Sequence, residues 1–227
     1  MSIIQLKNIF KKIRDEEILK NINISINKGE FISIIGPSGS GKSSLLYIMG
    51  LLDKPTSGEV IVDGQNIDFS NPQKISHIRN SKFGFIFQFH YLVSEFNLIE
   101  NVITPMLKAG KTKEESIERA YMLLKTFGLS GKEKRKPFEI SGGEQQRVAI
   151  ARALANNPLV IIADEPTGNL DSKNTATVME IFCKLHLEGK TIVMVTHETE
   201  LTEKTERIVK MLDGMILEDV ELEKKRC

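Results

Sequence analysis

Gly36-Pro37-Ser38-Gly39-Ser40-Gly41-Lys42-Ser43 stands directly after the apolar run Phe31–Ile35 and fits the pattern G-x-x-x-x-G-K-[ST]. Each residue type has a physical reason. Glycines let successive backbone N–H groups wrap an anion, and a helix starting near Lys42 turns its positive end toward the same point. Lys42 can neutralise outer phosphate oxygens, and Ser43 carries the hydroxyl that a hard cation needs. The bland reading is a glycine-rich turn between strand and helix. It is weakened because the pattern arises by chance only about once per hundred chains of this length.

Two further continuous apolar runs, Leu159–Ala163 and Thr191–Thr196, read as buried strands of a parallel sheet covered on both faces. Between them Val178, Ile181, Phe182 and Leu185 recur at helical spacing, with Gly189 as a stop. Ile117, Ala120, Tyr121 and Leu124 repeat that spacing after Lys113–Glu115. Strands alternating with helices argue an α/β fold with a parallel core. From about Leu98 to Ala155 only helix patterns occur, which predicts a helical lobe, residues 91–156, inserted in one domain of 1–227. Just before it Phe83, Phe85, Phe87 and Phe89 alternate with Gly84, Ile86 and Gln88. That is a strand with one aromatic face, expected in the core, and Gln88 on the other.

Composition bounds the function classes. Lys plus Arg is 31 against 30 Asp plus Glu in 227 residues, so net charge offers no general attraction to nucleic acid or an anionic membrane. The longest apolar run, Leu45–Leu52, is far short of the ~18 residues of a spanning helix. No secretory apolar region is visible at the N-terminus. Cys183 and Cys227 make no disulfide framework and point to a reducing compartment. The expectation is a soluble, cytosolic, compact chain.

Two more segments carry chemistry. Leu159-Val160-Ile161-Ile162-Ala163-Asp164-Glu165 is an apolar strand ending in two adjacent carboxylates. Beside a phosphate loop, Asp164 suits a Mg²⁺ shell and Glu165 suits polarising an attacking water. Ile140-Ser141-Gly142-Gly143-Glu144-Gln145-Gln146-Arg147 opens a helix, with Ser141 and Glu144 spaced as a capping box. Its two glycines allow close approach to an anion, although on physics alone a well-capped helix is the better reading.

With Arg147–Leu154 added, that segment resembles the ABC ATPases, whose signature reads LSGGQ; Ile140 and Glu144 are the departures. Gln88 matches the family's Q-loop, Asn169-Leu170-Asp171 its D-loop and His197 its switch histidine. The resemblance implies a P-loop NTPase fold with a parallel core, an N-terminal antiparallel β portion and an inserted helical lobe. It implies ATP and Mg²⁺ as ligands, in a head-to-tail dimer. Gly36, Pro37, Ser38, Gly39, Ser40, Gly41, Lys42, Ser43 and Ser44 of one copy would hold ATP against Ser141, Gly142 and Gly143 of the other. Ser43, Gln88 and Asp164 would serve the metal, and Glu165, His197 and Gln88 the hydrolysis. Where the family stacks an aromatic on adenine, this chain has Ile13, with Phe10 the nearest aromatic.

Transport then needs separate membrane subunits, docking after Gln88 on Tyr91, Leu92, Phe96 and Leu98, with the chain peripheral on the cytoplasmic face of a bacterial inner membrane. Gln88-Phe89-His90-Tyr91-Leu92-Val93-Ser94-Glu95-Phe96 resembles the lipoprotein-releasing (LolD-type) ATPases. MacB-type exporters and FtsE-like cell-division ATPases share many of the same motifs. Soluble ABC ATPases of DNA repair place a coiled coil between loop and signature, but here Lys42 and Ser141 are 99 residues apart without heptads. Ribosome-acting ones usually carry two cassettes, and a P-loop kinase leaves the signature unexplained. No direct nucleic-acid partner is expected.

Overall fold

The computed structural model describes residues 1–222 and 227. Strands β1 (Ser2–Ile13) and β2 (Glu16–Asn27) form a hairpin, and β3 (Phe31–Ile35) leads through the glycine loop into α1 (Lys42–Met49). Then come β4 (Ser57–Val62), β5 (Gln65–Asn66), α2 (Pro72–Lys82) and β6 (Phe83–Phe87). The next elements are helical: α3 (Leu98–Lys108), α4 (Lys113–Thr126), a 3₁₀ turn at Pro137–Glu139 and α5 (Gly142–Ala153). The chain closes with β7 (Val160–Asp164), α6 (Ser172–Leu187), β8 (Thr191–Val195), α7 (Thr199–Thr202), β9 (Arg207–Leu212) and β10 (Met215–Glu221).

The strands make two sheets. One is antiparallel, in the order β2-β1-β4-β5; the other runs β10-β9-β3-β8-β7-β6. In the second, every pair is parallel except the edge strand β10 with β9. Both faces of this sheet are covered, as the continuous apolar runs require. Ile161 and Ala163 pack toward α3, α4 and α5, while Val160 and Ile162 pack toward α1 and the antiparallel sheet. The alternation is the period-two geometry of a strand buried on both sides. Strand β8 lies between β3 and β7, pairing Val195 with both Ile34 and Asp164. The chain segments leaving β3, β7 and β8 therefore emerge side by side at one edge, where α/β sheets place their ligands.

Three expectations need correction. The aromatic stripe is not all core: Phe83 is buried, Phe85 and Phe87 are half-buried, and Phe89 lies beyond the strand in the open. β6 is an edge strand, and its stacked Phe85 and Phe87 rings face a groove of about 330 Å³ shared with Leu52, Pro105 and Arg152. In the expected docking segment, Leu98 is fully buried and Leu92 packs on the core, leaving Tyr91 and Phe96 at the surface. Finally, Cys183 and Cys227 are joined in a disulfide, their Cα atoms 5.1 Å apart, so cysteine usage no longer argues for a reducing compartment. Among the described residues no helix is long and apolar enough to cross a membrane.

Candidate functional site

A cleft of about 550 Å³ opens at that edge, walled by the glycine loop, by Glu165 and His197, and by Glu16 and Ile18 of β2. Gly41 caps α1 with φ of 94°, a left-handed conformation that glycine adopts without a Cβ penalty. The Lys42 ammonium folds back on the carbonyls of Gly36 (2.9 Å) and Pro37 (2.8 Å). Ser43 Oγ donates to Asp164 Oδ1 at 3.2 Å. Asp164 is 9% exposed, and burial pushes its carboxyl up against the lowering pull of the Tyr47 and Ser43 hydroxyls. The Tyr47 hydroxyl is pushed up to about 12, first by burial and then by the Asp164 carboxylate. Sequence reasoning missed Tyr47, although it follows Ser43 by one helical turn and so faces the same way.

Glu165 begins the loop after β7 with φ of 47°, in the left-handed region, and its N–H donates to Val195 O at 3.0 Å. Its Oε2 lies 3.3 Å from His197 Nδ1. A non-glycine residue held this way is strained backbone that the surrounding sheet enforces. The loop, Asp164, Glu165 and His197 thus lie together at this edge of the sheet.

Other candidates lie elsewhere. The Gln88 amide is not in the cleft wall: its Nε2 donates to Asn169 Oδ1 (3.2 Å), and Asn169 Nδ2 returns a bond to Gln88 O (3.3 Å). Phe87, the residue before it, pairs with Asp164 across the sheet, but among the described residues Gln88 makes no hydrogen bond to Ser43 or Asp164. Ile13 ends β1, half exposed, opposite Glu16 in the hairpin; it is not among the residues of the cleft wall, which Glu16 and Ile18 help form.

Ser141, Gly142 and Gly143 stand apart from this cleft, at the start of α5. Glu144 N–H donates to Ser141 Oγ (3.4 Å) and Ser141 N–H to Glu144 Oε2 (2.9 Å), closing the capping box. Lys132 pairs with the same carboxylate and, as the foremost cause, holds its pKa down to about 2. A Cβ at Gly143 would overlap the Asn174 amide, while nothing lies within 4 Å of one at Gly142. Gln146 is fully buried and ties α5 to the carbonyls of Pro166 (2.5 Å) and Phe87 (3.3 Å), next to the Glu165 loop and Gln88.

The family model described as "ABC transporter" matches residues 19–168. The lipoprotein-releasing system ATP-binding protein LolD of Aquifex aeolicus is 58% identical over 96% of this chain and 97% of its own length. The macrolide export ATP-binding/permease protein MacB of Mannheimia succiniciproducens is 48% identical over 97% of this chain, which spans 35% of that protein. The cassette MJ0796, solved as a dimer bound to ADP and Pi, superposes with a TM-score of 0.89 at 43% identity, covering 97% of this chain and 99% of that one. The family match over most of the chain, the identity to these relatives and the superposition on a solved cassette make this chain a member of the ABC transporter ATPases.

Proposed function

We propose that this chain is the ATP-hydrolysing subunit of a membrane complex that releases lipoproteins from a bacterial inner membrane, acting as a head-to-tail pair. The observation that carries the substrate class is the 58% identity, over nearly the full length of both chains, to a relative named for that release. The loop and Lys42 of one copy hold the triphosphate, and Ser141, Gly142 and Gly143 of the other close on it. The capped start of α5 supports this, because its free N–H groups form an anion site and Gly142 leaves open space for a partner. The dimeric relative supports the pairing.

Hydrolysis follows from Glu165 and His197. Glu165 polarises a water, whose oxygen attacks the γ-phosphorus; the bond to the β-phosphate oxygen breaks, and ADP and phosphate leave. His197, 3.3 Å from that carboxylate, is positioned to meet the γ-phosphate. Ser43 and Asp164 are hard oxygen donors 3.2 Å apart, and the burial of Asp164 favours a cation beside it, so the pair fits Mg²⁺. Held there, that ion would supply neutralisation of the phosphate charge. Gln88 leads into the 91–156 lobe and shares Asn169 with the loop after Glu165, so exchange of that bond would couple the site to the lobe.

Separate integral-membrane subunits dock on the aromatic surface beside that lobe, which keeps the chain peripheral on the cytoplasmic face. Tyr91 packs edge-on against Phe87 with ring centroids 5.3 Å apart, joining the exposed Phe89 and Tyr91 to the groove at Phe85. Purification of the tagged chain from membranes tests the assignment. Co-purifying integral proteins that release lipoproteins from vesicles in an ATP-dependent way are expected; partners without that activity would overturn it. The 48% identity to MacB favours one rival, an export ATPase, and the same experiment identifies it by its partners.

A further inference from the structure

We infer that Phe138 supplies, from the opposite copy, the aromatic surface that the nucleotide base lacks in its own cleft. In the ATP-bound pair, the Phe138 ring of one chain lies against the base of the nucleotide held by the other. The inference rests on the head-to-tail pairing and adds a base-stacking contact to it.

The first observation is a deficit. Outside the glycine loop, Glu165 and His197, the cleft is lined by Glu16 and Ile18, with Ile13 paired to Glu16 in the hairpin, and none of these three carries a ring. An aliphatic wall buries a base edge but offers no π-face for stacking.

The second observation is a surplus. Phe138 is 72% exposed, the most exposed of the chain's phenylalanines, and forms no aromatic pair among the described residues. It is not on a loose loop. Lys136 N–H donates to Glu139 Oε2 (2.6 Å), and Gln145 Nε2 donates to the Pro137 carbonyl (3.0 Å). Pro137 and Ile140, on either side, are buried, so the turn is anchored while its one large ring points out. A rigidly presented aromatic gains contact area at little entropic cost.

The third is reach. Phe138 precedes Ser141 by three residues, partly wound in the 3₁₀ turn, so the chain spans less than the ~11 Å of an extended segment and chain and ring together reach on the order of 10 Å. That matches the distance from a terminal phosphate, across two more phosphates and a ribose, to a base. If Ser141 caps the γ-phosphate in trans, Phe138 of the same copy comes level with the base. A π-face reads no hydrogen-bonding edge, so this contact accepts any purine.

The test uses full-length chain carrying Glu165→Gln, which slows turnover, with and without Phe138→Ala. ATP-driven dimerisation is followed by light scattering, and base stacking by the fluorescence of etheno-ATP. Phe138→Ala should leave single-chain nucleotide affinity unchanged, weaken ATP-driven dimerisation about five- to a hundredfold, and abolish the quenching of etheno-ATP on dimerisation. Phe138→Tyr should restore both. Unchanged dimerisation and quenching in Phe138→Ala would overturn the inference and leave the head-to-tail reading standing. An equal loss of affinity in the single chain would also overturn it, by making the contact internal. Should the parent not dimerise with ATP at all, the head-to-tail reading fails first and this inference with it.

Discussion

Asp164 and Glu165 are chemical neighbours with opposite surroundings. Asp164 is buried beneath Ser43 and Tyr47, whereas Glu165 sits in the open cleft against His197. Removing a positioned base costs about 10²–10⁴ in rate, so Glu165→Gln should bind ATP normally and lose turnover by that factor in a phosphate-release assay. Asp164→Asn should also lose Mg²⁺-dependent turnover, but its stability should move the other way. A carboxyl raised by burial weakens the fold wherever it is ionised, and that cost vanishes as pH falls and the group protonates. Without nucleotide, Asp164→Asn should therefore melt higher than the parent at pH 8, with the lead shrinking toward acid. A lower melting temperature at pH 8 would mean that the hydrogen bonds from Tyr47 and Ser43 outweigh the burial.

The start of α5 shows how an element can serve two ends. Its capping box is legible as Ser141-x-x-Glu144, and the structure adds Lys132 from the preceding loop, which no local pattern announces. Glu144 has its pKa held down from 4.5 to about 2, so its ionised form supports the fold above pH 4.5 and that support fades as pH falls toward 2. The melting difference between the parent and Glu144→Gln should accordingly be constant above about pH 5 and shrink between pH 4.5 and 2. A difference independent of pH would show that packing, not charge, is what Glu144 contributes. Two other helices of the lobe are closed by the same device, at Asn97 with Glu100 and at Thr112 with Glu115. These short-range signals explain why the helical segment is visible in the sequence.

For the molecule as a whole, the docking surface proposed beside the lobe is where chemistry would become movement. Tyr91 and Phe96 are 64% and 39% exposed, so replacing both with alanine removes little internal packing. Tyr91→Ala with Phe96→Ala should melt within a few degrees of the parent and retain basal ATP hydrolysis. The same protein should be lost from the membrane fraction and fail to support transport. A large fall in melting temperature would return these side chains to the core and remove the docking claim. Full membrane retention would refute it directly.

The sequence by itself determined the glycine loop, the carboxylate pair at the end of an apolar run, the capped start of α5 and the helical stretch between them. Each is a local pattern, set by backbone freedom, strand period or cap chemistry within a few residues. Tertiary structure decided what depends on distant chain segments meeting. The partner of the Gln88 amide, Asn169, is 81 residues away and no local pattern announces it. The period-two phenylalanine stripe alone predicts core, but β6 closes the edge of the sheet, and its rings line a groove. Cys183 and Cys227 carried no pairing signal, because which residues the end of the chain meets is not written in their spacing. Ile18, not Ile13, reached the cleft wall because the register of a hairpin, not proximity in sequence to a motif, decides which side chains face a ligand.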